Sequence, residues 1–258
     1  MSERLAHGVH VDTFGSGPEL VLLHGWAMHG AIWQDFLELL ASRWRITVID
    51  LPGHGYSAPL EDYSLPAVVD AVVAVVPPSA YWLGWSLGAL IALGVAARHP
   101  GRVRGLVQLA GTPRFTAAPG WPGVASELLE QMAASLAGDI QATLRRFIGL
   151  QTHGMDNPRG MARRLEAQLT ARPHAEAGAL QGGLRLLLEE DLRRVQADFD
   201  GPLVSLLGGR DRLVPVALAD VLRVLNPGAR VEVIPAAAHL PFLTHPGACR
   251  QALDMLPP

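Results

Sequence analysis

Ser86 stands between two glycines in Gly84-Trp85-Ser86-Leu87-Gly88, a spacing that could turn a weak hydroxyl into a nucleophile. The apolar run Ala80-Tyr81-Trp82-Leu83 leads into it and Ala89-Leu90-Ile91-Ala92-Leu93 leads out. That pattern predicts a buried strand, a sharp turn and a helix. In such an elbow the serine is strained and its Oγ stands free at the strand's carboxyl end. Glycine is needed on both sides because a β-carbon would meet neighbouring backbone. The first N–H groups of the helix then face any negative charge that develops. The competing reading is an ordinary strand-to-helix turn with an incidental serine.

A serine hydroxyl needs a general base, and the base needs a carboxylate to hold its tautomer. Elbow enzymes place them in the chain order serine, acid, histidine. Asp211, in Leu206-Leu207-Gly208-Gly209-Arg210-Asp211, and His239, in Ile234-Pro235-Ala236-Ala237-Ala238-His239, meet that order. Both follow apolar runs that predict strands, so both fall on loops at strand carboxyl ends, where parallel sheets bind ligands. Asp211 could instead cap the helix after Val214-Pro215. Asp220 is a poorer candidate because it lies within that helix. A tetrahedral oxyanion needs two N–H donors. The backbone of Leu87 supplies one, and the loop His24-Gly25-Trp26 supplies the other through Trp26. His24 reads as a structural hydrogen-bonder. One glycine in that loop disfavours ester classes served by longer glycine runs.

The elements that must position these groups alternate. Gly8–Phe14, broken by Gly15-Ser16-Gly17-Pro18, reads as an edge hairpin leading into the strand Glu19–Leu23. Further strands are predicted at Ile46–Ile49, Val103–Leu109, Leu203–Leu207 and Val231–Ile234, with helices over Ala31–Ser42 and Leu65–Val76. This is an α/β chain with a mostly parallel sheet and right-handed crossovers. Between residues 113 and 200 the alternation stops, and helices are predicted over Ala125–Leu136, Asp139–Leu150, Arg159–Leu169 and Ala175–Leu188. The expected organisation is a core of residues 1–112 and 201–258 with a helical cap, 113–200, inserted over the site.

Composition excludes much. All 21 basic residues are arginine, so no lysine is present for a Schiff base or a Walker P-loop. No glycine fingerprint of a dinucleotide fold follows a strand. A net charge of −3 argues against nucleic acid, and no apolar run is long enough to span a membrane. The N-terminal residues lack the apolar stretch of a signal peptide, and the one cysteine, Cys249, excludes a disulfide framework or a multi-cysteine metal site. A cytoplasmic monomer without cofactor or metal is expected. Charge is nevertheless uneven: Arg145, Arg146, Arg159, Arg163, Arg164 and Arg172 face only Asp156 and Glu166 between residues 141 and 175. The excess suits an acidic partner, or is a solvated helix face. Adjacent arginines cannot all point one way.

The motifs around Gly25, Gly53-His54-Gly55, Ser86, Asp211 and His239 together resemble the α/β-hydrolase family from end to end. Within it the chain is similar to the biotin-pathway esterases that demethylate pimeloyl-acyl-carrier-protein methyl ester. That likeness extends to Trp121-Pro122-Gly123, Arg146-Phe147, Leu150-Gln151-Thr152, Gly182-Gly183-Leu184 and His245-Pro246. The resemblance implies substrate contacts at Trp26, Ser86, Leu87, Phe147, Ile148, Gly149, Leu150, Gln151 and His239. It also implies docking of an acyl-carrier protein at Arg146, Arg159 and Arg163, whereas a further basic position of that patch is Ala142 here. The expected activity is serine carboxylesterase action on a methyl ester. A general short-chain carboxylesterase, a C–C bond hydrolase or lyase, and a non-turnover ligand receptor on the same scaffold are the alternatives.

Overall fold

The computed structural model describes residues 2–257. Continuous apolar runs become strands covered on both faces: β3 (Glu19–Leu23), β5 (Ala80–Trp85), β6 (Val103–Leu109) and β7 (Leu203–Gly208) are almost wholly buried. With β1 (Ser2–Ala6), β2 (Val9–Phe14), β4 (Arg45–Ile49) and β8 (Arg230–Ile234) they form one eight-stranded sheet, in the order β1-β2-β4-β3-β5-β6-β7-β8. Strands β3 to β8 pair in parallel, and β2 alone runs against the rest, antiparallel to both β1 and β4.

Side chains alternate between the two faces, as a period of two requires. Leu20, Leu22, Tyr81 and Leu83 share a core with α1 (Gln34–Leu40), α10 (Pro241–Thr244) and α11 (Pro246–Asp254). Val21, Leu23 and Trp82 share the opposite core with α2 (Leu65–Val73), α3 (Leu87–Arg98) and α9 (Leu218–Leu225). The carboxyl ends of β3, β5, β7 and β8 thus open on one edge, with the loops bearing Trp26, Ser86, Asp211 and His239.

The N-terminal hairpin differs from expectation. The turn lies at His7-Gly8 between β1 and β2, and β2 pairs with β4, not with β3. The Gly15–Pro18 link crosses over the start of β4, where Arg45 N–H donates to Pro18 C=O at 2.9 Å. Gly15 and Gly17 have φ of 69° and 126°, and a β-carbon on either would strike the backbone of Arg43 or Trp44. Glycine and proline mark a tight crossing as readily as a hairpin, so the residues alone do not tell the two apart. Residues 30–33 form a 3-10 turn ahead of α1, and α2 ends at Val73, before Pro77.

Between β6 and β7 lie α4 (Ser126–Leu136), α5 (Ile140–Thr152), α6 (Pro158–Leu169) and α7 (Ala177–Glu189). Asp139 and Asn157 cap α5 and α6 by accepting the N–H of Ala142 at 2.9 Å and of Gly160 at 3.0 Å. A further helix, α8 (Arg193–Asp198), was not anticipated; it packs against α3 and α9. Leu192 N–H donates to Pro113 C=O at 2.8 Å, which draws the two ends of the four-helix stretch together. Among the described residues no helix is long and apolar enough to cross a membrane.

Candidate active site

Ser86 caps the amino end of α3 with φ 54° and ψ −118°, a conformation that L-residues adopt only under constraint. The constraint is visible on each side. Ser86 N–H donates to Leu109 C=O at 3.0 Å, tying the elbow to β6. A β-carbon on Gly84 would collide with the backbone of Gly88 and Ala89, and one on Gly88 with the carbonyls of Leu23 and His24. The two glycines therefore let β5 turn into α3 while α3 lies against the end of β3.

His239 Nε2 lies 3.0 Å from Ser86 Oγ, and its Nδ1 lies 2.8 Å from Asp211 Oδ2. Both side chains of the His239–Asp211 pair are fully buried. Asp211 Oδ1 meanwhile accepts the N–H groups of Leu213 at 2.8 Å and Val214 at 3.1 Å. One Asp211 oxygen thus accepts from the turn that follows it and the other meets the histidine. With Oδ2 accepting from Nδ1–H, Nε2 is left as the acceptor for the serine proton. Asp220 is exposed and pairs with Arg223. The Asp211 and His239 loops are pressed together, since β-carbons on Gly208 and Gly209 would strike the backbone of Ala237, Ala238 and Pro235.

The backbone N–H groups of Trp26 and Leu87 have no acceptor among the described residues. His24 is structural: its Nδ1 meets Gly25 C=O at 2.8 Å and its Nε2 accepts Leu51 N–H at 2.9 Å. Burial first, then the neighbouring His54, pushes its pKa well below the usual imidazole value, so it is neutral.

Trp26 is also where the helical stretch meets the core. Its Nε1 donates to Leu180 C=O of α7 at 2.8 Å, and its indole packs edge-on against Phe147 of α5 with centroids 4.7 Å apart. Gly183 leaves room for this, since a β-carbon there would lie 2.7 Å from the Trp26 ring and 3.2 Å from Leu87. Gln151 lies one helical turn beyond Phe147, is fully buried, and has no protein partner for either amide atom. An unsatisfied buried amide is costly unless something polar joins it. The five residues Phe147–Gln151 do not share one face: Ile148 joins the cluster containing Leu165 and Leu169, Gly149 is exposed and Leu150 is half-buried. A helix of 3.6 residues per turn turns Gln151, and with it the half-buried Leu150, to the Phe147 side, and Ile148 and Gly149 away from it.

The arginines divide as their helix positions dictate. Arg164 pairs with Asp35, and Arg172 turns inward to Asp12 and Asp50. Arg145, Arg146, Arg159 and Arg163 are exposed, and of these only Arg146 has a partner among the described residues, Gln131 Oε1 at 3.4 Å. Arg172, counted in the basic excess, is thus spent inside the fold, and Trp85, Leu180 and Gly183 carry no individual role in the sequence; each of the four acts through a contact more than twenty residues away along the chain.

Residues 18–246 match the alpha/beta hydrolase fold family. The chain belongs to the α/β-hydrolase family. It is 49% identical over 238 residues, 92% of this chain and 94% of the relative, to a pimeloyl-[acyl-carrier protein] methyl ester esterase of Methylococcus capsulatus. A protein of the same name from Aeromonas hydrophila is 42% identical over 241 residues, 92% of this chain and 94% of the relative. Among solved structures, an esterase from Exiguobacterium antarcticum superposes with a TM-score of 0.86 at 22% identity, covering 95% of this chain and 94% of that one. An enol-lactonase from Burkholderia xenovorans superposes at 0.85 with 17% identity, covering 98% and 99%. These two likenesses concern the fold alone.

Proposed function

We propose that the chain is a serine esterase that hydrolyses the methyl ester of pimeloyl-[acyl-carrier protein], a step of biotin biosynthesis, releasing methanol. The observation that carries the chemistry is the hydrogen-bonded series Ser86–His239–Asp211. The substrate is carried by identities of 42–49% over nine-tenths of the chain to relatives of that name.

His239 Nε2 takes the Ser86 proton as Oγ attacks the ester carbonyl, while Asp211 holds the Nδ1–H tautomer and the imidazolium. The N–H groups of Trp26 and Leu87 receive the oxyanion. The imidazolium returns its proton to the departing methoxide, giving methanol and an acyl-serine. Water, deprotonated by His239, then attacks the acyl carbon, and the free carboxylate leaves as Ser86 recovers its proton. Phe147 lines the acyl site beside Trp26, and the unpaired Gln151 amide offers a polar contact to the bound chain. Residues 113–200 act as a cap over this site in the reading.

The acidic carrier protein is steered by Arg146, Arg159 and Arg163, with exposed Arg145 beside them. A groove of about 440 Å³ lies between Met155, Asn157 and Met161 on one side and Ala238 and His245 on the other, beside the loop that carries His239. All proposed catalytic groups come from one chain, which suits a monomer. Cys249 is buried and free, in keeping with a reducing cytoplasm.

The test is methanol release from pimeloyl-carrier-protein methyl ester beside the same methyl ester without carrier. A kcat/KM at least ten-fold higher for the carrier-linked ester is expected. Equal or faster turnover of free short esters would make the protein a general carboxylesterase. Stoichiometric labelling of Ser86 with no turnover of either ester would favour a ligand receptor.

A further inference from the structure

Asp50 and Arg172 take no part in the chemistry above, yet they join the helical stretch to the loop that carries Trp26. Arg172 lies in the connector between α6 and α7. Its Nη1 donates to Asp50 Oδ2 at 2.8 Å and its Nη2 to Asp12 Oδ2 at 2.5 Å. The Asp50 side chain has no exposed surface, and those of Asp12 and Arg172 are 3% and 13% exposed. The pairs Arg164–Asp35 and Arg210–Asp156, which also tie this stretch to the core, lie in solvent.

Asp50 in turn holds the loop. Its Oδ1 accepts Gly30 N–H at 2.6 Å, and its Oδ2 also accepts Tyr56 N–H at 2.9 Å. Gly30 closes the loop that starts at His24 and carries Trp26. The near end hangs from Leu51, whose N–H donates to His24. Both ends of the loop are therefore suspended from the adjacent residues Asp50 and Leu51. The carboxylate also fills space that two glycines leave open: a β-carbon on Gly30 would lie 3.1 Å from Asp50 Oδ1, and one on Gly55 would overlap Oδ2. Burial by itself would raise the Asp50 pKa, but the Arg172 guanidinium and the two N–H donors hold it below the usual carboxylate range.

We propose that Arg172 is a positioning residue for ester hydrolysis: by keeping Asp50 anionic and immobile, it fixes the Gly25–Gly30 loop and hence the Trp26 N–H that receives the oxyanion. The inference rests on the esterase reading and on Trp26 as a donor. Without the guanidinium, a buried carboxylate must take up a proton or admit water, and either change weakens its grip on Gly30 and Tyr56. The loss is felt where charge develops, so it falls on kcat and not on KM. Because Arg172 belongs to the stretch bearing Phe147 and Gln151, the loop is set only when that stretch is seated on the core.

The experiment compares wild type, Arg172→Met and Arg172→Lys on a small carrier-free methyl ester. Active sites are counted by labelling Ser86 to completion with a fluorophosphonate, and melting temperatures are recorded alongside. For Arg172→Met, kcat per labelled site is expected to fall about ten- to a hundred-fold, the scale for a slightly misplaced catalytic group, with KM within about two-fold. Arg172→Lys, which keeps the charge but cannot fork across two carboxylates, recovers part of that loss. An unchanged kcat per labelled site, whatever the melting temperature, would overturn the proposal by making Arg172 purely structural. A raised KM with kcat intact would overturn it too, placing the effect in the acyl pocket. Should Arg172→Met not fold, Arg172→Lys decides alone: a lower kcat at constant KM supports the proposal and wild-type kcat overturns it. Wild-type protein that neither labels nor turns over ester would overturn the esterase reading itself, and this inference with it.

Discussion

The indole Nε1 of Trp85 donates to the main-chain carbonyl of His239 at 2.8 Å, so the residue before Ser86 holds the loop that carries His239. The same ring lies against the loop that carries Trp26, since a β-carbon on Gly25 would lie 3.0 Å from it. One buried side chain thus sets the spacing of three parts of the site. Trp85→Phe keeps most of the packing but leaves that buried carbonyl unpaired. A stability loss of about 1–3 kcal/mol in urea denaturation is expected, with kcat lowered several-fold and KM little changed.

Replacing the nucleophile separates strain from chemistry. Ser86→Gly removes the hydroxyl and the β-carbon that disfavours φ 54°. Turnover should vanish while the protein gains about 1–2 kcal/mol of unfolding free energy. Ser86→Ala should lose turnover without that gain. A urea titration of the three proteins checks both statements.

Two glycine-to-alanine changes should move stability in opposite directions. Gly88→Ala drives a methyl group into the carbonyls of Leu23 and His24, and a loss above about 3 kcal/mol is expected. Gly178, exposed near the start of α7, has nothing within 4 Å of its added β-carbon. Gly178→Ala should stabilise by about 0.5–1 kcal/mol through helix propensity. Thermal melts of the two variants are sufficient to test this.

Acid should destabilise the protein through its buried histidines. Burial lowers the His54 pKa from 6.5 to about 4, and its Nε2 has no partner. The unfolded chain therefore binds the proton more tightly, so stability is fully present above pH 6.5 and is lost as pH falls toward 4. The full effect for this residue is about 3 kcal/mol. His24 and His29, also lowered mainly by burial, act in the same direction. His54→Gln should flatten the slope of unfolding free energy between pH 4 and 6.5, measured by denaturant titration at several pH values.

Charge reversal of the exposed arginines tests the carrier surface. Arg159→Glu with Arg163→Glu should raise KM for the carrier-linked ester about ten-fold or more at low salt, an effect that shrinks as ionic strength rises. Turnover of the carrier-free ester should stay unchanged, because neither side chain has a partner among the described residues. Steady-state assays of both esters at two salt concentrations give the answer.

Strands β3, β5, β6 and β7 were legible in the sequence because burial on both faces demands unbroken apolar runs. The elbow was legible because Gly84 and Gly88 flank Ser86 at the one spacing that lets a strand turn directly into a helix. That Asp211 and His239 stand on loops at strand carboxyl ends was legible because chain order and strand ends are local properties. The order of strands at the N-terminal edge was not legible, since Gly15-Ser16-Gly17-Pro18 serves a hairpin and a crossing equally well. Nor was the short helix α8, whose six residues are held by contacts with α3 and α9 more than by their own pattern.

The sequence by itself determined which residues are able to do chemistry and on which loops they stand, because nucleophile, base, acid and turn glycines are properties of residue type and spacing. Only the tertiary structure decided which of them meet. It placed Ser86 Oγ, His239 and Asp211 in hydrogen-bond contact and gave the two Asp211 oxygens different tasks. It turned Phe147 toward Trp26 but Ile148 away, and sent Arg172 inward to Asp50 while Arg159 and Arg163 remained in solvent. These outcomes depend on partners up to 153 residues apart, and a local pattern contains no information about which distant backbone folding will bring against it.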